Sequence, residues 1–395
     1  MVNKILHYGP FPDEKDGGQV VNFYLWRKYY EMFPLVEQYA VPKNVEELNP
    51  EAMPYISFFR GGKQLYPTTM MEFMRKFRIP IIEAFHIAEN ICPHIQPIHD
   101  IGGKIILHQT VHWESDRVFQ GKLLPEIDWF VAPTRYAKEM ITVHAKVNAD
   151  RISVIPHGVD TNKFYPHESL LRREWGLEGR PVILYCGRID SWKGLEQLYF
   201  TFTPLIRDYD AVIIVRGNTF KGVPKSEKLD YLLTTRANKD PKHLIYLRDW
   251  QPPDFIEELM NVCDIYVSPS GHEGFNVPLV EAMSCGKPIV TTKLANHSEI
   301  LEGTGNRLLT PKVKVGVCDG VQDILVPNAD NILGNLVMLI ENPAERQELG
   351  TQGRNKALQE YNLDKIAVEW HKLFEGLVNK DYDMDKEEAR RLLGL

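Results

Sequence analysis

The chain has 395 residues, 44% of them hydrophobic and 25% charged, with 46 basic and 53 acidic side chains and a formal net charge of −7. That length accommodates two domains of ordinary globular composition. The acidic balance argues against a general nucleic-acid binder, and no apolar run of about 18 residues is present to span a bilayer.

In chain order, the first residues, Met1 to Gly9, read as a short strand and turn rather than a signal peptide. Apolar runs at 5–8, 56–59, 81–85, 105–108, 129–132 and 152–155 read as buried strands, with helical periodicity between most of them, as at 20–30 and 135–144. A second series follows at 182–186, 212–215, 244–247, 265–267, 289–291 and 324–326. Strands alternating with helices predict the α/β class, with parallel sheets covered on both faces. Two series predict two doubly wound, Rossmann-like domains. The stretch 160–180 holds Pro166, Gly176 and Gly179, precedes Pro181 and lacks strong periodicity. The division is therefore expected there, with 1–165 as an N-terminal domain and 166–361 as a C-terminal one. Residues 362–380 are amphipathic, with Ile366, Val368, Trp370, Leu373, Phe374 and Leu377 near helical spacing, and a separate charged helix is expected over 385–395. Cys92, Cys186, Cys263, Cys285 and Cys318 are scattered, without metal-ligand or redox spacing. They read as free thiols in a reducing compartment, so a cytoplasmic location is expected.

Ligands of open α/β sheets sit beyond the carboxyl ends of the strands, and two such domains face to face would place them in the cleft between. The loop after the first strand ends in Gly17-Gly18, where small residues let backbone N–H groups approach a ligand, although it is not a dinucleotide fingerprint. His108 and His112 lie four positions apart, at or just past the end of the strand 105–108. The segment Val154-Ile155-Pro156-His157-Gly158-Val159-Asp160 closes a strand and reads as a hinge. Cys186-Gly187-Arg188-Ile189-Asp190-Ser191-Trp192-Lys193-Gly194 joins a strand to a helix. In that context Arg188 offers a planar fork and Lys193 a compact charge to phosphate oxygens. The most informative segment is His272-Glu273-Gly274-Phe275-Asn276-Val277-Pro278-Leu279-Val280-Glu281-Ala282-Met283. A helix is expected from Val277 to near Cys285, stopped by Gly286 and Pro288. Glu273 then lies in the loop and Glu281 in the helix, up to roughly 12 Å apart at ~1.5 Å rise per residue. The N–H groups of the helix start lie between them. An anion site flanked by two hydroxyl-binding carboxylates matches a nucleotide-sugar: hexose, diphosphate, ribose.

In this order the motifs resemble the retaining GT-B glycosyltransferases of glycosyltransferase family 4. The parts that carry the resemblance are Gly187-Arg188 with Lys193-Gly194, the segment 154–160, Pro269-Ser270 with Glu273-Gly274-Phe275, and Glu281-Ala282-Met283 with Gly286-Lys287-Pro288. The resemblance implies two Rossmann-like domains, an N-terminal acceptor domain and a C-terminal nucleotide-sugar domain, with residues 362–395 returning to the N-terminal domain. It implies that Arg188 and Lys193, with Gly187, hold the diphosphate, that Glu273 meets the hydroxyls of the transferred sugar, and that Glu281 meets the ribose. Backbone N–H groups of Gly274, Phe275, Asn276 and Val277 would contact sugar or phosphate, and Gly17 and Gly18 would line the site. His112 best matches the family's active-site histidine, with His108 as the alternative, and Trp250 is a candidate for the base pocket. The reaction implied is retaining hexosyl transfer from a nucleoside-diphosphate sugar to a glycan, lipid-linked sugar or small-molecule acceptor. No metal and no further cofactor are expected.

Two departures stand out. Asn276 replaces the small residue usual after Glu-Gly-Phe, and its side chain is a candidate contact to the sugar. The segment 301–322 is longer than the family's short turn. Residues 73–79 mix basic and apolar side chains, as an ordinary helix with one buried face or as a contact to anionic lipid at the cytoplasmic membrane face. The rival reading is a non-catalytic nucleotide-sugar-binding or scaffold protein. It would tolerate loss of the charged residues, whereas Arg188, Lys193, Glu273 and Glu281 are all present.

Overall fold

The structure, a computed structural model, describes residues 2–9, 17–42, 56–58, 74–85, 94–108, 126–190, 192–219, 223–248, 251–318 and 322–393. The chain divides into two units, Met1–Gly158 with Leu363–Leu395 and Val159–Asn362.

The first unit is built on a seven-stranded sheet in the order β3-β2-β1-β4-β5-β6-β7. The strands are β1 (Lys4–Gly9), β2 (Glu37–Pro42), β3 (Ile56–Phe58), β4 (Ile81–Phe85), β5 (Lys104–His108), β6 (Trp129–Ala132) and β7 (Ile152–Val154), and all pairs are parallel. The order reverses at β1, as in doubly wound folds. β2 is a strand that the apolar runs did not announce, because Glu37 and Gln38 interrupt it. Gln38 is nonetheless buried, its Oε1 lying 3.1 Å from His7 Nε2 while its Nε2 donates to the Trp26 carbonyl. Against one face of the sheet Trp26 and Tyr29 of the helix Gly17–Met32 pack on Trp370 and Phe374 of the last helix. That helix runs unbroken over Leu363–Leu393, where two helices were expected, because no glycine or proline lies between Leu377 and Leu393 to stop it. Around the short helical turn at 74–77, Met74 and Ile79 are buried while Arg75, Lys76 and Arg78 are exposed, the pattern of an ordinary half-buried helix.

The second unit is built on a six-stranded parallel sheet in the order β10-β9-β8-β11-β12-β13. Its strands are β8 (Val182–Cys186), β9 (Val212–Arg216), β10 (Leu244–Leu247), β11 (Ile265–Ser268), β12 (Ile289–Thr292) and β13 (Arg307–Leu309). Alternate residues of each strand serve opposite faces. Ile183 and Tyr185 pack with Leu198, Phe202, Leu336 and Leu339 from the helices Leu195–Tyr209 and Ala329–Glu341. Val182 and Leu184 pack with Leu259, Leu279, Met283 and Ala357 from the helices Pro253–Val262, Val277–Ser284 and Pro343–Glu360. The run at 324–326 does not join this sheet as expected. It lies in β15 (Gln322–Pro327), paired antiparallel with β14 (Pro311–Cys318), since the short connection between them permits only a hairpin.

The first change of unit comes at Gly158/Val159 rather than at 165/166. Val159 N–H donates to the Tyr361 carbonyl at 2.8 Å, and Phe164 is buried with its carbonyl accepting from Ser284 Oγ at 2.6 Å. The Gly- and Pro-containing stretch after 160 therefore marks turns inside the second unit, including the short helix Leu170–Glu174. Cys186, Cys263 and Cys285 are buried free thiols. Cys92 and the side chain of Cys318 lie outside the described residues. Among the described residues no helix is long and apolar enough to cross a membrane.

Candidate active site

The strand order of the second unit reverses at β8, which pairs with β9 on one side and β11 on the other. The loops beyond the carboxyl ends of β8 and β11 therefore emerge side by side. Asp190 folds the first loop: its Oδ1 accepts from the backbone N–H groups of Trp192 and Lys193, both at 3.1 Å. Gly194 at φ +66 then opens the helix Leu195–Tyr209. Any side chain at Gly194 would collide with the Pro269 carbonyl, so the absence of one lets the two loops meet closely at this point. Gly271 continues the contact, donating to the Trp192 carbonyl at 2.6 Å and accepting from Leu325 N–H of β15 at 2.9 Å. The hairpin that departs from the family pattern is thus hydrogen-bonded to the loop that carries Glu273.

The helix Val277–Ser284 starts at Asn276, whose Oδ1 accepts from Leu279 N–H at 3.3 Å. It ends where Gly286 adopts φ +67, with Gly286 N–H bonded to the Met283 carbonyl and Lys287 N–H to the Ala282 carbonyl, a Schellman stop. Lys193 Nζ lies 2.5 Å from Glu273 Oε1, with side chains 15% and 8% exposed. Burial alone would raise the Glu273 pKa, but the Lys193 charge, with hydrogen bonds from Lys193 and Ser270, outweighs it and holds the carboxyl at about 2. Glu281 has the opposite character: burial pushes its pKa up to about 7, with Arg216 and Lys163 pulling only partly against it. Arg188, 44% exposed, pairs with Asp190 at 3.3 Å. Burial raises the Asp190 pKa, opposed by Lys193 and Arg188.

Gly187, Arg188, Lys193, Glu273, Gly274, Phe275, Asn276, Val277 and Glu281 thus fall in and beside adjacent loops of one unit. Gly17 and Gly18 open the first helix of the other unit. His108 is buried in that unit, 3.4 Å from the Glu83 carboxylate and edge-on to Trp370. His112 and Trp250 lie outside the described residues. The Asn276 side chain does not reach outward as a sugar contact. Its amide donates to Ser268 Oγ at 3.0 Å and to His297 Nε2 at 3.2 Å, because a non-glycine residue at φ +87 is held by its own side-chain bonds. Two residues had no signal in a motif. Arg216 ends β9, carries a buried Nε with no hydrogen-bond partner among the described residues, and is the stronger of the two charges drawing Glu281 down. His297 is wholly buried, and burial lowers its pKa to about 4.

Comparison with known proteins bears on the family and the fold. The family described as Glycosyl transferases group 1 matches residues 168–356, and Glycosyltransferase Family 4 matches residues 42–163. The putative glycosyltransferase YtcC of Bacillus subtilis is 23% identical over 282 residues, 68% of this chain and 67% of that protein. D-inositol 3-phosphate glycosyltransferase of Segniliparus rotundus is 24% identical over 240 residues, 60% of this chain and 49% of that protein. The chain spans about half to two thirds of the length of the curated relatives it matches. Among solved structures, Anabaena Alr3699/HepE in complex with UDP superposes with a TM-score of 0.76 at 18% identity, covering 94% of this chain and 100% of that one. A glycosyltransferase from Rickettsia africae does so with a TM-score of 0.76 at 14% identity, covering 95% and 99%. At these identities the solved structures establish the GT-B fold. With a matching family over each unit and the charged loops assembled at one sheet end, the chain belongs to the group 1, family 4 glycosyltransferases.

Proposed function

We propose that the chain transfers a hexose from a nucleoside-diphosphate sugar to an acceptor hydroxyl, with retention of anomeric configuration. The observation that carries this reading is the buried Lys193–Glu273 pair at 2.5 Å beside the start of the helix Val277–Ser284. A carboxylate held ionised accepts hydrogen bonds and gives none, which suits it to sugar hydroxyls. Lysine keeps further N–H donors for a diphosphate oxygen, and Arg188 offers its fork to the same group. Of the first N–H groups of the helix, Pro278 has none and that of Leu279 is capped by Asn276, so a donor oxygen would meet that of Val277. Glu281, seated in the helix within the field of Arg216, is assigned the ribose hydroxyls. Trp250 is assigned the base, and His112, Gly17 and Gly18 the sugar and acceptor side.

Bond breaking at the anomeric carbon sends charge onto the leaving diphosphate. Arg188 and Lys193 are pre-placed to stabilise that charge, so catalysis rests on positioning and electrostatics rather than on a protein nucleophile. A donor phosphate oxygen takes the acceptor proton on the same face. Solved structures of this fold described as complexes with UDP and UDP-glucose make a UDP-sugar the first donor to examine. A thermal-shift and hydrolysis screen of UDP-, GDP- and ADP-sugars tests the reading, with Glu281→Ala as control. One nucleotide class is expected to stabilise the protein and to be slowly hydrolysed, with both effects weakened in the variant. A donor that binds without any turnover, with or without acceptor sugars, supports a binding protein instead.

A further inference from the structure

Three polar side chains that this chemistry leaves unused, Asn276, Asn296 and His297, pack against the loop carrying Glu273. Asn296 and His297 are 1% and 0% exposed. Their hydrogen bonds fix both the tautomer of the histidine and the direction of every bond around it. The single hydroxyl proton of Thr291 goes to the Ser268 carbonyl at 2.6 Å, so Thr291 Oγ1 accepts from His297 Nδ1 at 3.0 Å. The Thr292 carbonyl, 3.2 Å from the same nitrogen, is also an acceptor. Nδ1 therefore carries the proton. In the neutral ring Nε2 is then a lone pair, and it accepts from Asn276 Nδ2 at 3.2 Å.

Asn276 passes this constraint on. Its second amide proton goes to Ser268 Oγ at 3.0 Å, and Ser268 Oγ lies 3.4 Å from Ser270 Oγ. The Ser270 side chain in turn hydrogen-bonds the Glu273 carboxylate. From the other side Asn296 Nδ2 donates to the Glu273 carbonyl at 2.7 Å. Glycine would adopt φ +87 at Asn276 without steric cost, but it would supply none of these bonds.

We propose that His297, acting through Asn276, and Asn296 form a positioning clamp that sets Glu273 and the Glu273–Asn276 loop for the sugar end of the donor. Asn276 is thus a positioning residue that acts inward. The proposal rests on the donor-site reading above and deepens it. The clamp bonds Glu273 and its loop directly and reaches Lys193 only through the Glu273 ion pair, so its loss is expected to weaken sugar binding more than nucleotide binding.

Calorimetric titrations of UDP-glucose and of UDP alone test this, or the corresponding pair if the donor screen selects GDP or ADP. His297→Leu and Asn276→Gly are expected to weaken UDP-glucose about tenfold or more while leaving UDP within about twofold. His297→Gln places an amide oxygen near the Nε2 lone pair and is expected to recover most of the loss. In a Glu273→Gln background His297→Leu is expected to add less than about twofold, because the clamp acts through that carboxylate. Equal loss for UDP and UDP-glucose, no loss, or a His297→Gln as impaired as His297→Leu would each overturn the clamp. A changed order of preference between UDP-glucose and UDP-galactose in Asn276→Gly alone would make Asn276 a sugar reader instead. A wild type that binds none of the donors overturns the donor-site reading itself. Wild-type binding with unaffected variants overturns the clamp only.

Discussion

Burial places the two glutamates of the helix-start segment in opposite chemical states. Glu273 has a lysine at 2.5 Å and stays ionised to about pH 2, whereas Glu281 has charges only at longer range and is pushed up to about 7. For Glu281 the folded pKa lies above the unfolded value of about 4.3. Its contribution to stability is therefore complete below about pH 4 and is lost as pH rises through about 7. Glu281→Gln should match the wild type in melting temperature near pH 4 and exceed it at pH 8. Ribose hydroxyls would donate to the ionised form, so UDP-glucose affinity should rise about tenfold from pH 6 to 8 in the wild type and stay flat in the glutamine variant. A wild-type affinity independent of pH would remove Glu281 from the ribose. At this scale the sequence displayed the charged residues, since Arg188, Lys193, Glu273 and Glu281 sit at motif spacings. It did not display Arg216 or His297, whose importance comes from neighbours brought in by the sheet, nor the inward turn of Asn276.

At the scale of elements, two strand-to-helix loops are held together by backbone contact at Gly194 and Gly271. Gly194→Ala would need both a left-handed backbone and a displaced Pro269 carbonyl. It should lower stability by about 1–3 kcal/mol in urea unfolding and separate Lys193 from Glu273, with a loss of donor hydrolysis larger than the stability change accounts for. Unchanged hydrolysis would mean that the loops act independently. The strands that build this arrangement were readable because parallel strands buried on both faces appear as continuous apolar runs. β2 escaped because its buried Gln38 is satisfied by His7, a pairing across the sheet that periodicity does not carry. The run at 324–326 was read as a strand but assigned to the wrong sheet, because a run does not reveal its partner.

Over the whole molecule, the chain enters the second unit at Val159 and returns to the first at Leu363, where Trp370 and Phe374 complete the core around Trp26. The return was legible as an amphipathic stretch. The entry point was not, since turn-forming residues at 160–180 look alike whether they link units or lie inside one. The second unit by itself gathers the charges that the account assigns to the donor, so the central claim can be tested there. Calorimetric titration of UDP-glucose into the wild type and into Lys193→Ala at pH 8 is the most direct measurement. The account predicts binding by the wild type, weakened at least about tenfold in the variant, in line with the loss of a charge-assisted bond of about 1.5–3 kcal/mol. Equal affinity in the two proteins would contradict the claim that the Lys193–Glu273 pair is the centre of a nucleotide-sugar site.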